Sequence, residues 1–199
     1  MSDLWKRLRF VLGCIIVYRI GTHIPIPGID PVRVSSLFDQ NQGTILELFN
    51  LFSGGALERM SIFALNVVPY ISAAIIMQLF SNAIPYLIEL KKEGQAGRNA
   101  ITQYTRYGTV ALAFVQASAL AVTLSSSGLA YNPGTSFFVT AVFTVVAGTV
   151  FLMWLGEQIS ERGIGNGISI IIATSILTGI PGAIGQALEQ ACLLYTSPS

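Results

Sequence analysis

Three long stretches of this 199-residue chain contain no Asp, Glu, Lys or Arg: residues 60–88, 107–156 and 163–188. A transmembrane helix needs only about 20 mainly apolar residues, so each stretch is long enough to cross a membrane. Charged residues make up 11% of the chain, whereas they make up about a quarter of an ordinary soluble domain. The sequence therefore predicts an all-α, polytopic membrane protein.

The middle stretch is long enough for two helices, and its sequence marks where they separate. The segment SSSGLAYNPGTS at 125–136 contains Asn-Pro and Pro-Gly, which are strong turn signals. A further apolar segment follows Arg9 and ends before two prolines, at 25 and 27, that cannot continue a helix. A cleavable signal peptide is the alternative for this first segment, although RIGTHIPIPG offers a poor cleavage site. We predict transmembrane helices at about 8–25, 66–86, 105–125, 136–155 and 166–186.

Basic residues predict which side of the membrane each loop faces, because short cytoplasmic loops are enriched in Lys and Arg. If every predicted helix crosses once, most basic residues fall on one side: Lys6, Arg7, Arg9, Lys91, Lys92, Arg98, Arg106 and Arg162. The other side holds Arg33 and Arg59. We therefore predict that the N-terminus and the loop 87–104 are cytoplasmic. Arg19 lies toward the outer end of the first helix, from which its guanidinium can reach the headgroups.

The segment 49–65, just before the second predicted helix, suits neither lipid nor open water. It contains two glycines, Glu58 and Arg59, yet it is also rich in Leu, Met, Ile and Phe. A short helix enclosed by protein at membrane depth fits both properties, and such a half-helix is typical of a transport pathway. Pro69 suits the first turn of the helix that follows. An amphipathic helix on the outer membrane surface is the alternative.

We expect no catalytic, metal-binding or cofactor-binding residues and no enzyme activity. His23 is the one histidine of the sequence, so a histidine pair for a metal and an H-E-x-x-H motif are both excluded. Cys14 and Cys192 form neither a metal pair nor a disulfide framework. The glycines of ERGIGNGISI, at 161–170, lack the spacing of a nucleotide-binding loop and indicate a tight cytoplasmic turn.

Five motifs resemble the N-terminal half of the SecY family, whose members are central subunits of the bacterial protein-translocation channel. These are IPIPGID, FNLFSGGALERMSIFAL, PYISAAIIMQL, KKEGQAGRNAITQYTRYGT and FLMWLGEQISERGIGNGISIII. They occur in the family's order and spacing, and the likeness extends from about residue 5 to Ala191. The resemblance implies half of a channel of ten transmembrane helices, built as two inverted repeats.

The resemblance also implies roles for individual residues. Residues of about 50–65 correspond to the family's plug, a short re-entrant helix that closes the outer side of the pore; its predicted members are Ser53, Gly54, Gly55, Ala56, Leu57, Met60 and Phe63. The positions that match the aliphatic pore ring are Val67, Ile71 and Ile172, and Ser72 matches one side of the lateral gate. An aliphatic ring can gate a pore by dewetting. Val67 stands where the family more often has a bulkier residue, which implies a slightly wider pore.

The implied function is conduction of unfolded polypeptides across the bacterial plasma membrane and insertion of membrane proteins into it. The implied partners are the SecE and SecG subunits, the SecA motor or the ribosome on the cytoplasmic side, nascent chains and membrane lipid, with no nucleic acid bound by the chain itself. The basic loop with Lys91, Lys92, Arg98 and Arg106 is expected to make peripheral cytoplasmic contacts. A non-conducting membrane scaffold is the alternative. A small-molecule carrier is disfavoured because the charge-free helices offer few polar groups.

The last eight residues, 192–199, depart from the family pattern. The family continues there through a charged outer loop, whereas this sequence reads CLLYTSPS. We expect these residues to carry no function, as in a broken or misassembled reading frame.

Overall fold

A computed structural model of the chain describes residues 1–41, 43–52 and 55–196. Within these ranges the secondary structure is helical, apart from two isolated bridges, Pro25 with Ser61 and Ile29 with Ala130. The helices are α1 (Ser2–Gly21), α2 (Pro31–Gln40), α3 (Ile45–Phe52), α4 (Val68–Ala83), α5 (Pro85–Lys92), α6 (Gln95–Ser126), α7 (Thr135–Arg162) and α8 (Gly167–Thr196). The predicted all-α class is confirmed.

Three of the described helices, α6, α7 and α8, are long and apolar enough to cross a membrane. They follow one another through short connections, so each packs antiparallel to the next. Helix α7 lies between the other two and also contacts α1, which explains why eleven of its residues are buried. Helix α1 falls outside this group because Lys6, Arg7, Arg9 and Arg19 all lie within its 20 residues.

The second predicted helix, 66–86, is not one straight helix. Helix α4 ends at Ala83, and α5 begins at Pro85 at an angle of 95° to it; together the pair can count as a fourth membrane crossing. The bend has a local cause at Ile84, whose backbone is extended (φ −92°, ψ 120°). A residue that precedes proline is driven out of the helical region by the proline ring, which here belongs to Pro85.

The loops at one end of the bundle are joined by backbone hydrogen bonds. The loop between α1 and α2 pairs with the loop between α6 and α7, through Asp30 N–H to the Leu129 carbonyl (3.0 Å) and Tyr131 N–H to the Gly28 carbonyl (3.0 Å). Arg33 also donates to the Gly128 carbonyl at 2.8 Å. These contacts hold the long segment after α1 over the α6–α7 hairpin.

The opposite end is held by charged groups. Arg106 of α6 forms two hydrogen bonds with the Glu157 carboxylate of α7, at 2.7 and 2.9 Å. Near the end of α7, the Arg7 guanidinium donates to the Gly163 carbonyl at 3.3 Å. Helix α8 then begins where the Asn166 side chain accepts from the N–H groups of Ile168 and Ser169, which satisfies amides that a helix N-terminus leaves free.

The residues expected to depart from the family pattern continue a helix as far as the structure describes them. Helix α8 extends through Cys192 to Thr196, and the side chains from Ala187 onward are exposed. Residues 197–199 lie outside the described part of the chain.

Candidate functional site

Residues 55–67, here called the turn segment, form consecutive turns where the sequence predicts part of a helix over 50–65. The helix of this region is α3, which lies earlier in the chain and ends at Phe52. The backbone has positive φ at Gly55 (80°), Met60 (45°) and Asn66 (51°), and no right-handed helix passes through such positions. The predicted plug residues Ser53 and Gly54 lie outside the described residues.

Most of the turn segment is buried, although Glu58 and Arg59 are exposed, and several of its backbone groups are paired. Within the segment, Ser61 N–H donates to the Ala56 carbonyl at 2.9 Å and Asn66 N–H donates to the Phe63 carbonyl at 2.8 Å. Non-helical backbone is tolerated at membrane depth only where protein or water satisfies it. These bonds therefore let irregular backbone lie inside a helical bundle.

A short antiparallel bridge joins the turn segment to the loop after α1. Ile62 N–H donates to the Ile24 carbonyl at 3.0 Å, and Ile26 N–H donates to the Met60 carbonyl at 2.8 Å. The bridged pair between these bonds is Pro25 and Ser61. Pro25 has no N–H group to donate. The bridge does not need one, because the residues that flank such a pair make its hydrogen bonds.

Asn50 of α3 anchors the start of the turn segment. Its carbonyl accepts from Gly55 N–H at 3.0 Å, and its side-chain oxygen accepts from Glu58 N–H at 3.0 Å. The side-chain amide of Asn50 also donates to the Glu58 carboxylate at 3.0 Å. One asparagine thus connects α3 to two points of the segment.

Two glycines let the turn segment approach α1 and α7 closely. A Cβ atom on Gly21 would lie 2.0 Å from the Phe63 ring, and a Cβ atom on Gly148 would lie 2.1 Å from the Ile62 carbonyl oxygen. Real Cβ atoms do not approach other atoms to that extent. Both helices therefore need glycine here if the segment is to occupy its place.

Phe63 is the aromatic centre of the contact between the segment and these helices. Its ring stacks on Tyr18 of α1 with 5.9 Å between centroids, and on Phe151 of α7 with 6.0 Å. Only 1% of the Phe63 surface is exposed. The Tyr18 hydroxyl is hydrogen-bonded in turn to Ser175 of α8, so the stack also connects to a third helix.

The predicted pore-ring residues Val67, Ile71 and Ile172 belong to one hydrophobic cluster, which also contains Ala56 and Phe63 of the turn segment. Val67 is 1% exposed, whereas Ile71 and Ile172 keep part of their surfaces free. The structure thus places Ile71 and Ile172 in the same cluster as Val67, which is the last residue of the turn segment, and as Ala56 and Phe63. Their roles as ring and plug stay predictions.

The remaining predicted plug and gate residues lie around this cluster. Met60 and Leu57 pack in a second hydrophobic cluster, together with Ile26 of the loop after α1 and with residues of the α6–α7 hairpin such as Ala121. Gly55 is partly buried at the start of the segment. Ser72 is partly buried on α4, directly after Ile71. The segment therefore contributes residues to two apolar clusters.

The predicted basic loop is largely helical. Lys91 and Lys92 end α5, and Arg98 lies in the first turns of α6. Arg106 lies well inside α6 and pairs with Glu157, so its prediction as a loop residue is wrong. Helix α6 begins already at Gln95. Its first part was not predicted, because charged residues alone do not distinguish a helix from a loop.

Sequence reasoning missed several residues that form the contact, namely Tyr18, Gly21, Gly148, Phe151 and Ser175. Glycine within an apolar helix is a signal of close packing, yet it does not identify the partner. No group of three His, Cys, Asp or Glu side chains suited to a metal occurs in the described part of the chain.

Comparisons with known proteins give one consistent family. The family model described as SecY matches residues 61–197. Protein translocase subunit SecY of Pseudomonas aeruginosa is 62% identical over 191 residues, and that of Escherichia coli K12 is 56% identical over 195 residues. These alignments cover 96% of this chain but only 43% and 44% of the relatives, so the chain spans less than half of their length.

Solved structures give the same fold at greater distance. Sec61 in the canine ribosome-channel complex from the endoplasmic reticulum matches with a TM-score of 0.65 and 19% identity. A structure described as that of a protein conducting channel matches with the same values. Each match covers 89% of this chain and 37% of the other, and at this identity it concerns the fold alone.

Gly148→Ala should loosen the turn segment, because its new methyl group would overlap the Ile62 carbonyl. Overpacking of this kind costs about 1–3 kcal/mol, which corresponds to roughly 5-fold to 150-fold more frequent opening. The measurement is the rate at which a water-soluble maleimide alkylates the cysteine of a Ser61→Cys variant, in full-length protein without other cysteines. Position 61 is fully buried, so this rate reports how often the segment opens.

Gly13→Ala is the matched control, since a Cβ atom at that position of α1 meets no atom within 4 Å. It should leave the alkylation rate unchanged. Equal rates in the Gly148→Ala and Gly13→Ala proteins would contradict the close contact between α7 and the segment.

Proposed function

Since this chain belongs to the SecY family, we propose that it is the N-terminal half of a protein-conducting channel subunit. The channel carries unfolded polypeptides across the bacterial plasma membrane and inserts membrane proteins into it. The main support for this proposal is one apolar cluster that contains Ala56, Phe63 and Val67 of the turn segment together with Ile71 and Ile172. A buried, non-helical segment against a ring of aliphatic residues is the arrangement of a closed pore.

In the resting state the turn segment seals the pore from the outer side, and the aliphatic side chains exclude water at the waist. Apolar constrictions gate by dewetting, so no specific bond to the translocated chain is needed. When a polypeptide enters, the segment leaves its place beside α1 and α7. The contacts that it breaks are backbone hydrogen bonds, ring stacking and apolar packing, all of which can re-form when the polypeptide has passed.

The lateral gate has Ser72 and its neighbours on α4 as one side, with the facing helices in the second half of the channel. The end of the bundle with Arg7, Lys91 and Arg98 faces the cytoplasm, in agreement with the enrichment of basic residues there. That end makes peripheral contacts with the SecA motor or the ribosome, which drive transport. SecE and SecG are the partner subunits within the membrane.

A photo-crosslinking amino acid at position 71 should capture a stalled secretory chain, because Ile71 contributes to the waist. The experiment uses the full-length subunit in its membrane, with the same crosslinker at position 76 as control. Ile76 is 40% exposed and lies on a different face of α4. Absence of a substrate crosslink at 71 would favour a non-conducting scaffold, which has no reason to touch the substrate there.

Ile71→Gly should raise the ion leak of purified full-length channels in a planar bilayer. Removal of a partly buried isoleucine side chain forfeits about 1 kcal/mol of apolar burial, which corresponds to roughly fivefold more open channels. Ile76→Gly carries the same cost in helix propensity and should leave the conductance unchanged. If the two variants conduct equally, the assignment of Ile71 to the ring is wrong.

A further inference from the structure

An ion pair without an assigned role joins Arg106 of α6 to Glu157 of α7. The guanidinium donates to both carboxylate oxygens, at 2.7 and 2.9 Å. Such a two-point contact fixes the orientation of both side chains, because the planar guanidinium matches the carboxylate. Arg106 and Glu157 are the charged residues that flank the charge-free stretch 107–156. They therefore join the two helices at the end of the hairpin opposite its loop.

The ion pair lies beside α4 and not beyond its end. A Cβ atom on Gly108 would lie 3.6 Å from the Ala73 Cβ, so these two residues stand at one level of the bundle. From that level α4 continues for about 16 Å to the bend at Ile84, whereas Arg106 lies only about 3 Å along α6. Beyond the level of the ion pair α4 still presents apolar surface, with Leu79 64% exposed. The ion pair therefore lies at membrane depth.

A cavity between α4 and α6 reaches the level of the ion pair. Its volume is about 580 Å³, and its lining extends from Lys91 and Arg98 at one end to Tyr70 and Thr105 at the other. Charged side chains at membrane depth almost always pair with one another and face protein or a water-filled cavity. The polar lining suits water, and the Arg106 side chain keeps 43% of its surface exposed. Pairing and nearby water together make two charges tolerable at this depth.

Tyr70 connects the ion pair to the predicted pore ring. It is half-buried on α4, directly before Ile71. Its phenol interacts electrostatically with Glu157 and with Arg106. Ala73, almost one helical turn further along α4, packs on α6. The part of α4 that carries Ile71 is therefore held against both helices that the ion pair joins.

We infer that Arg106 and Glu157 are positioning residues of the pore ring. By fixing α6 to α7 and holding the Tyr70 phenol, they keep Ile71 in the place that closes the waist. Loss of either charge leaves the other at membrane depth without its partner, and Tyr70 then loses the charged pair that holds it. This role rests on the proposed function, since it requires a pore that opens and closes.

The ion leak of purified full-length channels with their partner subunits, measured in a planar bilayer, tests this role. Arg106→Gln and Glu157→Gln should each raise the leak roughly fivefold, which is the effect of losing a well-aligned ion pair that keeps part of its surface in water. Exchange of the two charges, Arg106→Glu with Glu157→Arg, should bring the leak back toward its original value, because the attraction is restored.

Arg162→Gln and Glu161→Gln are the matched controls. Both residues are exposed in the last turn of α7, and no ion pair within the described part of the chain includes them. Both variants should leave the leak unchanged. Tyr70→Phe removes only a hydroxyl group; it should raise the leak of the original protein and add nothing to that of Glu157→Gln, because Tyr70 acts together with the ion pair.

Thermal unfolding of each variant separates positioning from folding. A lower unfolding temperature with an unchanged leak in Arg106→Gln would mean that the ion pair only fastens α6 to α7. Fully additive effects of Tyr70→Phe and Glu157→Gln would refute the link through Tyr70. Ile71→Gly is the positive control for the pore itself. A leak in Ile71→Gly but not in Arg106→Gln would refute the positioning role alone, whereas no leak in either variant would refute the proposed pore and this role with it.

Discussion

The structure depends on one constraint, which is that a stretch of irregular backbone must be enclosed by membrane helices without leaving its polar groups unpaired. Residues 55–67 meet this constraint by bonding to one another, to Asn50 and to the loop at 24–26. Helices α1 and α7 make room for the stretch with Gly21 and Gly148. The loop after α1 is held in turn by the α6–α7 hairpin. Changes at the hairpin and at α1 are therefore both expected to affect the turn segment.

The same constraint is compatible with the proposal that the segment leaves its place and returns. The segment is held by apolar packing and by hydrogen bonds to the loop at 24–26 and to Asn50. Phe63 stacks between Tyr18 and Phe151, and both stacks are lost together if the segment moves. Met60 packs in the other apolar cluster, so movement also exposes that side. These stacking and packing contacts would thus be lost together.

The sequence alone predicted the all-α fold class, because long stretches without charged residues are compatible with few structures other than membrane helices. The segments predicted at about 105–125, 136–155 and 166–186 fall on α6, α7 and α8, but these helices extend beyond the predicted bounds by up to about ten residues. The sequence did not predict the 95° bend at Ile84, because a proline at position 85 is equally compatible with the end of a helix. Turns at Met60 and Asn66 were missed since neither residue is glycine, although both have positive φ. The close contact between Gly148 and Ile62 depends on how segments far apart in the sequence pack together, and no local sequence pattern predicts it.

We propose that the turn segment must leave the loop at 24–26 before a polypeptide can pass, and a disulfide between the two can test this directly. Pro25 and Ser61 form an antiparallel pair without hydrogen bonds of its own, so their Cα atoms are about 4.5 Å apart, within the range that a disulfide spans. The measurement is transport of a secretory precursor by full-length Pro25→Cys, Ser61→Cys protein without other cysteines, before and after reduction, with each single variant as control. We expect the oxidised protein to be blocked and reduction to restore transport. Equal transport by a fully oxidised protein would mean that a polypeptide can pass while the segment stays beside the loop.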